Sequence, residues 1–467
     1  MLGKTRGFAV TLLLVAFAVW GVSPTRGEEE EAPIVPETVM LNAPAESEET
    51  EPTAAAGEEL RTSLNAAATA FQPGPSAAAT PAPSASPRTS PDAANPRGPR
   101  GSRQASYRLA SAPDMFGDFF QSGGDLVFQP NRILSANGLV QTAGSISIPS
   151  AGGSRRVKIA ENNKSMPADR LVFSYSHFEN ALQFTESTLN PAGPNLPPLR
   201  TTTRTMPVDR YTLGFEKMFL DDQWSCEVRM PFQGAVGFES PDIAGAGGQI
   251  GNLAIILKRL MYSDDDLAVA AGLGIDIPTG SDFTLTDSVP GLPLPSNNIV
   301  FHNDSLHLLP YAGFLFGGDR PYFINAFAQV DFAANGSRID VGPVGGNTQT
   351  LGRFNEQNLL FLDLGTGYWL YRDEYSEGRL TSLAALLELH YTSSIQDTDT
   401  VAGMAGGRPF AYANKFNRFD ILNLTSGLQA QLFNATSVRV AVVVPLGSGE
   451  DRRFFDNELQ VQVNRRF

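Results

Sequence analysis

Runs of about ten residues in which apolar and polar side chains alternate repeat from Leu171 to the end of the chain. The run from 222 to 232 shows the pattern clearly, since every second residue from Trp224 onward is apolar. Its two faces consist of Trp224, Cys226, Val228, Met230 and Phe232 on one side and Ser225, Glu227 and Arg229 on the other. A period of two places successive side chains on opposite faces of a β-strand. The pattern therefore predicts an all-β protein.

The alternation predicts about twelve strands, each close to the ~9–11 residues that a tilted strand needs to cross a bilayer core. They cover residues 171–178, 210–220, 222–232, 249–262, 266–278, 305–316, 321–333, 358–371, 379–392, 419–432, 436–446 and 457–467.

The connections between these strands alternate in length. Short turns, such as Asp221–Asp222 and residues 263–266, are followed by long stretches rich in Gly, Pro, Asn, Ser and Thr, such as residues 279–304. A barrel whose strands run up and down sorts its connections in this way, with tight turns at one end and long loops at the other. Residues 168–467 are therefore predicted to form a transmembrane, up-and-down antiparallel β-barrel of about twelve strands.

The opposite face of the predicted strands is mostly polar, which suits a wet barrel lumen. A secreted β-sandwich also alternates, but neither its loop lengths nor charges in the middle of strands follow from that fold. Six charged residues are predicted to line the lumen and to set ion or solute preference: Glu227, Arg229, Asp276, Asp331, Asp363 and Arg439.

The N-terminal part of the chain has the layout of an exported protein. An apolar run from Phe8 to Val22 follows Lys4 and Arg6, which predicts a signal peptide over residues 1–27, with an uncleaved anchor as the alternative. Residues 28–104 are rich in Ala, Pro and Glu and predict a disordered linker. With a single cysteine, Cys226, the chain has no disulfide framework.

Residues 105–167 do not show the strand pattern. Arg155, Arg156, Lys158 and Lys164 lie close together here, whereas the predicted lumen carries several carboxylates. Opposite charges attract more strongly in a confined channel than in open water. The segment is therefore predicted to be either a plug that folds back into the barrel or a periplasmic segment that stays outside, and the sequence leaves both open.

The chain ends in an alternating run, NELQVQVNRRF, in which Leu459, Val461, Val463 and Phe467 share a face. It resembles the C-terminal strand of Gram-negative outer-membrane β-barrel proteins, although Arg465 departs from the pattern. This resemblance implies a location in the cell outer membrane, contact with outer-membrane lipid, and recognition of these four residues by the barrel-assembly machinery. A second, fainter likeness, through GLGIDIPTGSD at Gly272–Asp282, is to porin-like proteins of aromatic-degradation pathways.

Few residues suggest chemistry. The net charge of −14 argues against nucleic-acid binding. No catalytic, cofactor or metal site is predicted: the glycines of AGAGGQIG miss the dinucleotide spacing, and QDTDT and SDDD are incomplete cation sites. A phospholipase-type enzyme would need Ser and His together on the outer face. The candidates for such a pair are His177 and His390, with Ser174, Ser176, Ser393 and Ser394.

The sequence therefore predicts a porin-like channel, not an enzyme, for passive passage of small solutes across an outer membrane. A structural or adhesive barrel with a blocked lumen, which binds partners through its loops or its N-terminal tail, is the alternative from another class. A phospholipase-type enzyme is the third hypothesis. The sequence names neither the solute nor the oligomeric state.

Overall fold

The fold was taken from a computed structural model of the 467-residue chain. The structure describes residues 109–118, 126–128, 145–148, 156–188, 200–233, 236–239, 243–247, 250–287, 297–373, 379–405, 408–414, 416–447, 449 and 452–467. By its internal contacts the chain divides into residues 1–93 and 94–467, and all of these residues lie in the second unit. The predicted signal peptide and linker lie outside the described residues.

Among the described residues, 22 segments form β-strands. They are β1 (Leu126–Phe128), β2 (Ser145–Ile148), β3 (Arg170–Thr188), β4 (Arg200–Phe219), β5 (Trp224–Gln233), β6 (Val236–Glu239), β7 (Ile243–Gly247), β8 (Leu253–Ser263), β9 (Leu267–Ile277), β10 (Phe283–Asp287), β11 (Asn297–Phe301), β12 (His307–Phe316), β13 (Tyr322–Ala333), β14 (Ser337–Pro343), β15 (Gln349–Phe354), β16 (Leu359–Arg372), β17 (Leu380–Ser394), β18 (Thr400–Ala405), β19 (Arg408–Asn414), β20 (Asp420–Leu432), β21 (Thr436–Pro445) and β22 (Asn457–Arg466). No helix in this part of the chain is long and apolar enough to cross a membrane.

Twelve of these strands form a closed antiparallel barrel. The order around it is β3, β22, β21, β20, β17, β16, β13, β12, β9, β8, β5 and β4, and β4 pairs again with β3. Closure depends on the C-terminal strand, because β22 pairs with β3 from Asn457 opposite Glu179 to Arg466 opposite Arg170. Closing the sheet removes its free edges, so every barrel strand has a partner on both sides. The predicted fold class is confirmed.

The two ends of the barrel differ as the sequence predicted. At one end, called the turn end, neighbouring strands join through short connections such as residues 220–223 and 433–435. Several residues of these two turns, Asp221 and Asn434 among them, have positive φ angles of 56° and 59°, which Asp and Asn tolerate better than most residues. The other end, called the loop end, carries the long connections.

The long connections contain more regular structure than the sequence indicated. Strands β6, β7, β10, β11, β14 and β15 form a separate six-stranded sheet at the loop end. Its buried apolar residues, among them Leu285, Ile299 and Val341, pack with Val401 and Tyr412 of the next long connection. The first two barrel strands are also longer than predicted, with 19 and 20 residues, since their pairing continues as far as Thr188 opposite Arg200.

The barrel buries its polar face and exposes its apolar face. Inward residues such as Glu458, Gln460 and Gln462 of β22 are at most 1% exposed, whereas outward Leu459 is 39% exposed. Large apolar side chains on other strands, including Leu213, Leu364 and Leu370, are at least half exposed. A soluble protein that sorted its side chains in this way would present a continuous apolar surface to water, which is strongly unfavourable. The outward face is therefore built to contact an apolar medium.

Candidate functional site: the barrel interior

Two stretches that precede the barrel lie inside it. The ascending segment, residues 109–118, and the descending segment, residues 156–168, are almost entirely buried. They run antiparallel: the amide of Met115 donates to the carbonyl of Asn163 at 2.7 Å, and the amide of Asn162 donates to the carbonyl of Phe116 at 3.3 Å. The two segments therefore support each other as an irregular hairpin within the barrel.

Contacts along the two segments give their direction. Leu109 packs with Ala268 and Leu315, which lie at the turn end of their strands. Asp118, at the other end of the ascending segment, accepts a hydrogen bond from Asn423 in the loop half of β20. The descending segment returns to the turn end, where it leads into β3 at Arg170. The chain thus crosses the interior twice before the first barrel strand begins.

The descending segment begins with a buried arginine bound by carboxylates of the loop end. The guanidinium of Arg156 lies 2.7 Å from Asp331 and 3.4 Å from Glu356, and it also donates to the carbonyl of Gln357 at 2.7 Å. His307 hydrogen-bonds the other oxygen of Asp331 at 2.7 Å. An arginine with this many partners satisfies most of its donors without water, as a buried guanidinium requires.

Two residues further along, Lys158 of the descending segment is bound by the ascending segment and the wall. Its ammonium nitrogen lies 2.7 Å from the Asp363 carboxylate, also contacts Asp118, and lies 5.5 Å from the centre of the Phe361 ring. His390 hydrogen-bonds Asp363 at 2.7 Å on the same face. The side chain of Lys158 is 1% exposed. Its charge is thus compensated entirely by protein groups, which is a condition for burying an ammonium.

The backbone of the ascending segment is bound by a wall carboxylate. Glu388 of β17 accepts hydrogen bonds from the amides of Phe116, at 2.8 and 3.0 Å, and Gly117, at 3.1 Å. Gly117 has a φ of +73°, and a Cβ atom there would lie 2.5 Å from the Cα of Glu161 in the descending segment. Only glycine fits this position without moving the backbone.

The turn half of the interior is rich in arginine. Arg170 pairs with Glu216 at 2.6 Å and with Asp114 of the ascending segment at 3.1 Å. Arg439 donates to Asn162 of the descending segment at 2.9 Å, and its guanidinium lies 4.3 Å from the centre of the Phe116 ring. Cations of the wall therefore bind the inner segments here, whereas carboxylates of the wall bind them in the loop half.

A glycine of the wall makes room for the aromatic ring of the ascending segment. A Cβ atom at Gly427 would lie 2.5 Å from the Phe116 ring. Phe116 is fully buried and packs with Phe323, Trp369 and Ala441, which all lie on the wall. The interior is therefore shaped around this segment as well as charged to match it.

The six residues predicted to line the lumen are all buried, at 0–4% exposure. They are Glu227, Arg229, Asp276, Asp331, Asp363 and Arg439. Glu227 and Arg229 pair with each other at 2.8 Å, and Arg229 also donates to the carbonyl of Lys158. At least four of the six thus contact an inner segment: Arg229, Asp331, Asp363 and Arg439. Their predicted role in ion or solute preference remains a prediction.

Other residues that bind the inner segments were not predicted, among them Arg170, Arg210 and Glu388. Glu388 carried a signal, because it is a charged residue in the middle of a predicted strand. Arg170 and Arg210 lie at the edges of the predicted strands, where a charged residue is ordinary. The expected wet lumen differs from the structure, because the inward polar groups are paired with residues 109–118 and 156–168.

The candidates for a phospholipase-type site are not brought together. His177 lies on the outward face and hydrogen-bonds Asp209 at 2.8 Å, whereas Ser174 and Ser176 lie on the buried face of the same strand. His390 was expected near the outer end of a strand, but its ring is fully buried in the interior beside Asp363. Period-two alternation places Ser174, Ser176 and Ser393 on the opposite face from their histidines, because the spacing is odd. Ser394 shares the inward face with His390 but lies four residues further along the strand, where it accepts from the amide of Phe419.

One group in the interior has the composition of a cation site. Asp118, Asp363 and His390 place ligand atoms within 4.8 Å of one another. The ammonium of Lys158 lies among them, 2.7 Å from Asp363 and in contact with Asp118. The cation bound by these carboxylates in this structure is therefore a side chain of the protein.

The C-terminal residues that resemble an assembly signal lie on the outward face. Leu459, Val461 and Val463 alternate with buried glutamines on β22. Phe467 is 61% exposed, and its ring stacks on that of Phe215 with centres 5.7 Å apart. Arg465, which departs from the pattern, also points outward and donates to Thr436 at 2.8 Å.

Among known proteins, this chain is similar only to solved structures. No family model matches the chain, and no curated protein matches it. An outer membrane channel from Pseudomonas putida F1 is 10% identical over 65% of this chain and 97% of its own, with a TM-score of 0.35. The CymD monoaromatic hydrocarbon channel is 10% identical over 65% and 89%, with a TM-score of 0.34. The translocator domain of the autotransporter NalP from Neisseria meningitidis is 9% identical over 64% and 89%, with a TM-score of 0.37.

The overlap of these structures with this chain is partial, so the assignment of the barrel rests on its own strand pairing.

Proposed function

We propose that the protein is an outer-membrane channel for small solutes that is closed at rest by its ascending and descending segments. The outward apolar face supports residence in a membrane. On β21 and the residue that follows it, this face runs from Val438 to Leu446, which at ~3.4 Å per residue and a strand tilt of ~40° gives a band roughly 20–25 Å tall. Transmembrane barrels carry an apolar band of about 25 Å.

The closed state is supported by a difference between two sets of hydrogen bonds, those within the barrel wall and those that bind the inner segments. The barrel is closed by strand pairing alone, and the inner segments contribute no strand to it. They are bound instead by side chains of the wall, such as Glu388, Asp363 and Asp331. Releasing the segments therefore breaks side-chain contacts and leaves the barrel ladder intact. A closure of this kind opens without unfolding the wall.

Conductance in planar lipid bilayers tests the proposal. Two variants loosen the closure: deletion of residues 105–160, and Arg156→Glu combined with Lys158→Glu, which sets like charges against Asp331 and Asp363. Both are expected to raise single-channel conductance or open probability above that of the full-length protein. Arg418→Glu, which changes an exposed arginine paired with Asp397, is the matched control and should leave conductance unchanged.

Assembly is measured in parallel, by the difference in gel mobility between unheated and heated samples. Variants that assemble normally but conduct no better than the full-length protein would refute a channel closed by these segments.

A second candidate is a structural or adhesive barrel that never opens. The packed interior and the six-stranded sheet at the loop end favour it, since a sheet with its own apolar core offers a stable surface to a partner. The conductance experiment separates the two candidates. In a permanently blocked barrel, only physical removal of residues 105–160 would open a pore. In that case the double charge variant would stay silent while the deletion conducts.

A further inference from the structure

The ammonium group of Lys158 is bound as an organic cation is bound by a receptor. Asp363 accepts from it at 2.7 Å, Asp118 contacts it from the ascending segment, and the ring of Phe361 lies 5.5 Å away. A carboxylate together with an aromatic ring is the combination that recognises ammonium groups in ligand sites. The descending segment thus presents its own lysine to a preformed cation pocket of the wall.

Unpaired polar atoms lie on the strands that form this pocket. Within the described residues, Asp363 Oδ2, Thr392 Oγ1, Asn423 Oδ1 and Thr425 Oγ1 are buried without a hydrogen-bond partner. All four residues are at most 3% exposed and lie on the adjacent strands β16, β17 and β20. Asp363 and Asn423 are both paired in register with His390, so they flank it on either side.

Buried polar groups are rarely left unpaired, so these oxygens are available to accept hydrogen bonds from a ligand.

We propose that this pocket, formed by Phe361, Asp363, Thr392, Asn423 and Thr425, binds an organic cation that carries a primary ammonium group and a hydrogen-bonding tail. The ligand takes the place of Lys158, so ligand and descending segment compete for the pocket. Only one consequence rests on the proposed function: displacement of Lys158 would loosen the closure of the channel. Binding itself does not require that the barrel conducts.

An ammonium ligand fits this pocket better than a divalent metal ion does. The pocket already accommodates an ammonium group in this structure, and the ring of Phe361 offers nothing to a hard metal ion, which prefers several oxygen ligands. The neutral oxygens of Thr392, Thr425 and Asn423 suit hydroxyl or amide donors on a ligand. Divalent binding is therefore an outcome of the test that would overturn the proposal.

Competition sets the expected affinity. Lys158 is tethered to the pocket, and a tethered group acts at an effective concentration of about millimolar or above. In the unmodified protein, the concentration of a free cation must exceed this effective concentration before the cation displaces Lys158. Removing the amine of Lys158 removes the competitor, and the same cation should then bind at least about tenfold more tightly, as expected for one charge-assisted hydrogen bond.

The first experiment measures binding of n-butylammonium to purified Lys158→Ala protein in detergent, by calorimetry and by the shift in thermal denaturation. Butylammonium should bind and raise the transition temperature of Lys158→Ala, whereas butanol should not. Adding Asp363→Asn to Lys158→Ala should weaken binding about tenfold or more. Lys217→Ala, which removes an exposed lysine paired with Asp169, is the matched control and should bind no more tightly than the unmodified protein.

The second experiment does not depend on the folding of Lys158→Ala. A reporter cysteine is placed next to the lysine by Val157→Cys, in a Cys226→Ser background, and its reaction with a maleimide is timed. Butylammonium should speed this labelling in a protein that keeps Lys158, because displacement of the lysine exposes the segment. Equal binding with and without Asp363→Asn, no effect on labelling, or tighter binding of Ca²⁺ or Zn²⁺ than of butylammonium would overturn the proposal.

The experiments distinguish a wrong assignment of the pocket from a wrong assignment of the channel. Conductance of both the deletion variant and the double charge variant without any butylammonium binding would leave the channel standing and refute the pocket. Butylammonium binding without conductance of either variant would support the pocket and refute the channel.

Discussion

Glu388→Ala is expected to release the inner segments while leaving the barrel assembled. Glu388 accepts hydrogen bonds from the amides of Phe116 and Gly117, and both amides belong to the buried ascending segment. Without the carboxylate these two donors are left unpaired, at a cost of about 1–3 kcal/mol each. Allowing for relaxation, a loss of about 3 kcal/mol raises the fraction of released segment roughly a hundredfold.

The change should be confined to the inner segments because strand pairing at Glu388 uses backbone groups. Glu388 is paired with Gly365 and Thr425 on the neighbouring strands, and a side-chain substitution leaves these ladders in place. The wall loses only the contact of Glu388 with His390, at 3.2 Å, so most of the free energy is lost from the closure.

The assay times the reaction of a buried reporter cysteine with a maleimide in detergent. Met115→Cys in a Cys226→Ser background places the thiol next to Phe116, where Met115 is fully buried. When opening is fast and reversible, the labelling rate is proportional to the open fraction, so Glu388→Ala should label roughly a hundred times faster. Asp420→Asn, an outward carboxylate that accepts from Tyr391, is the control.

Equal labelling of Met115→Cys with and without Glu388→Ala, in proteins with normal heat-dependent gel mobility, would refute the reasoning. It would mean that Glu388 does not hold the ascending segment.

Three further predictions concern other parts of the molecule. Gly117→Ala should also speed labelling of the inner segments, since its Cβ atom would lie 2.5 Å from the backbone of the descending segment; unchanged labelling would contradict this. Deletion of Phe467 should reduce the amount of protein assembled in the outer membrane fraction, and a normal amount would count against its role as an assembly signal. Burial would raise the pKa of Asp340, but hydrogen bonds from Thr350 and His302 lower it below its ordinary 3.8. Its contribution to the loop-end sheet is therefore fully present above about pH 4 and lost as the pH falls further, which hydrogen exchange of β14 measured at decreasing pH would detect.

The sequence alone was sufficient for the wall of the barrel. Alternation from Trp224 to Phe232 assigned both the strand and its two faces, because a side-chain period of two is a local property of extended backbone. The positions of the short turns followed from residues such as Asp221 and Asp222, and strand count and loop parity then specified a closed sheet.

The sequence did not decide where residues 105–167 lie. These residues have neither the period of a strand nor that of a helix, and the conformation of the inner segments, residues 109–118 and 156–168, is set by their partners and not by local pattern. The partners are remote: Phe116 and Glu388 are 272 residues apart, and Asn162 and Asn464 are 302 apart. Charge complementarity predicted attraction between the segment and the lumen, but not the pairing of Lys158 with Asp363.

The extra strands of the long connections were missed for a related reason. Each of three long connections supplies one hairpin, β6–β7, β10–β11 and β14–β15, and among the described residues the hairpins join only through β7–β10 and β11–β14. A short run rich in Gly and Asn carries little signal until another loop supplies the partner and the apolar cover. Local periodicity thus determined the wall, whereas the contents of the interior and the loop-end sheet were decided by contacts that exist only once the barrel has closed.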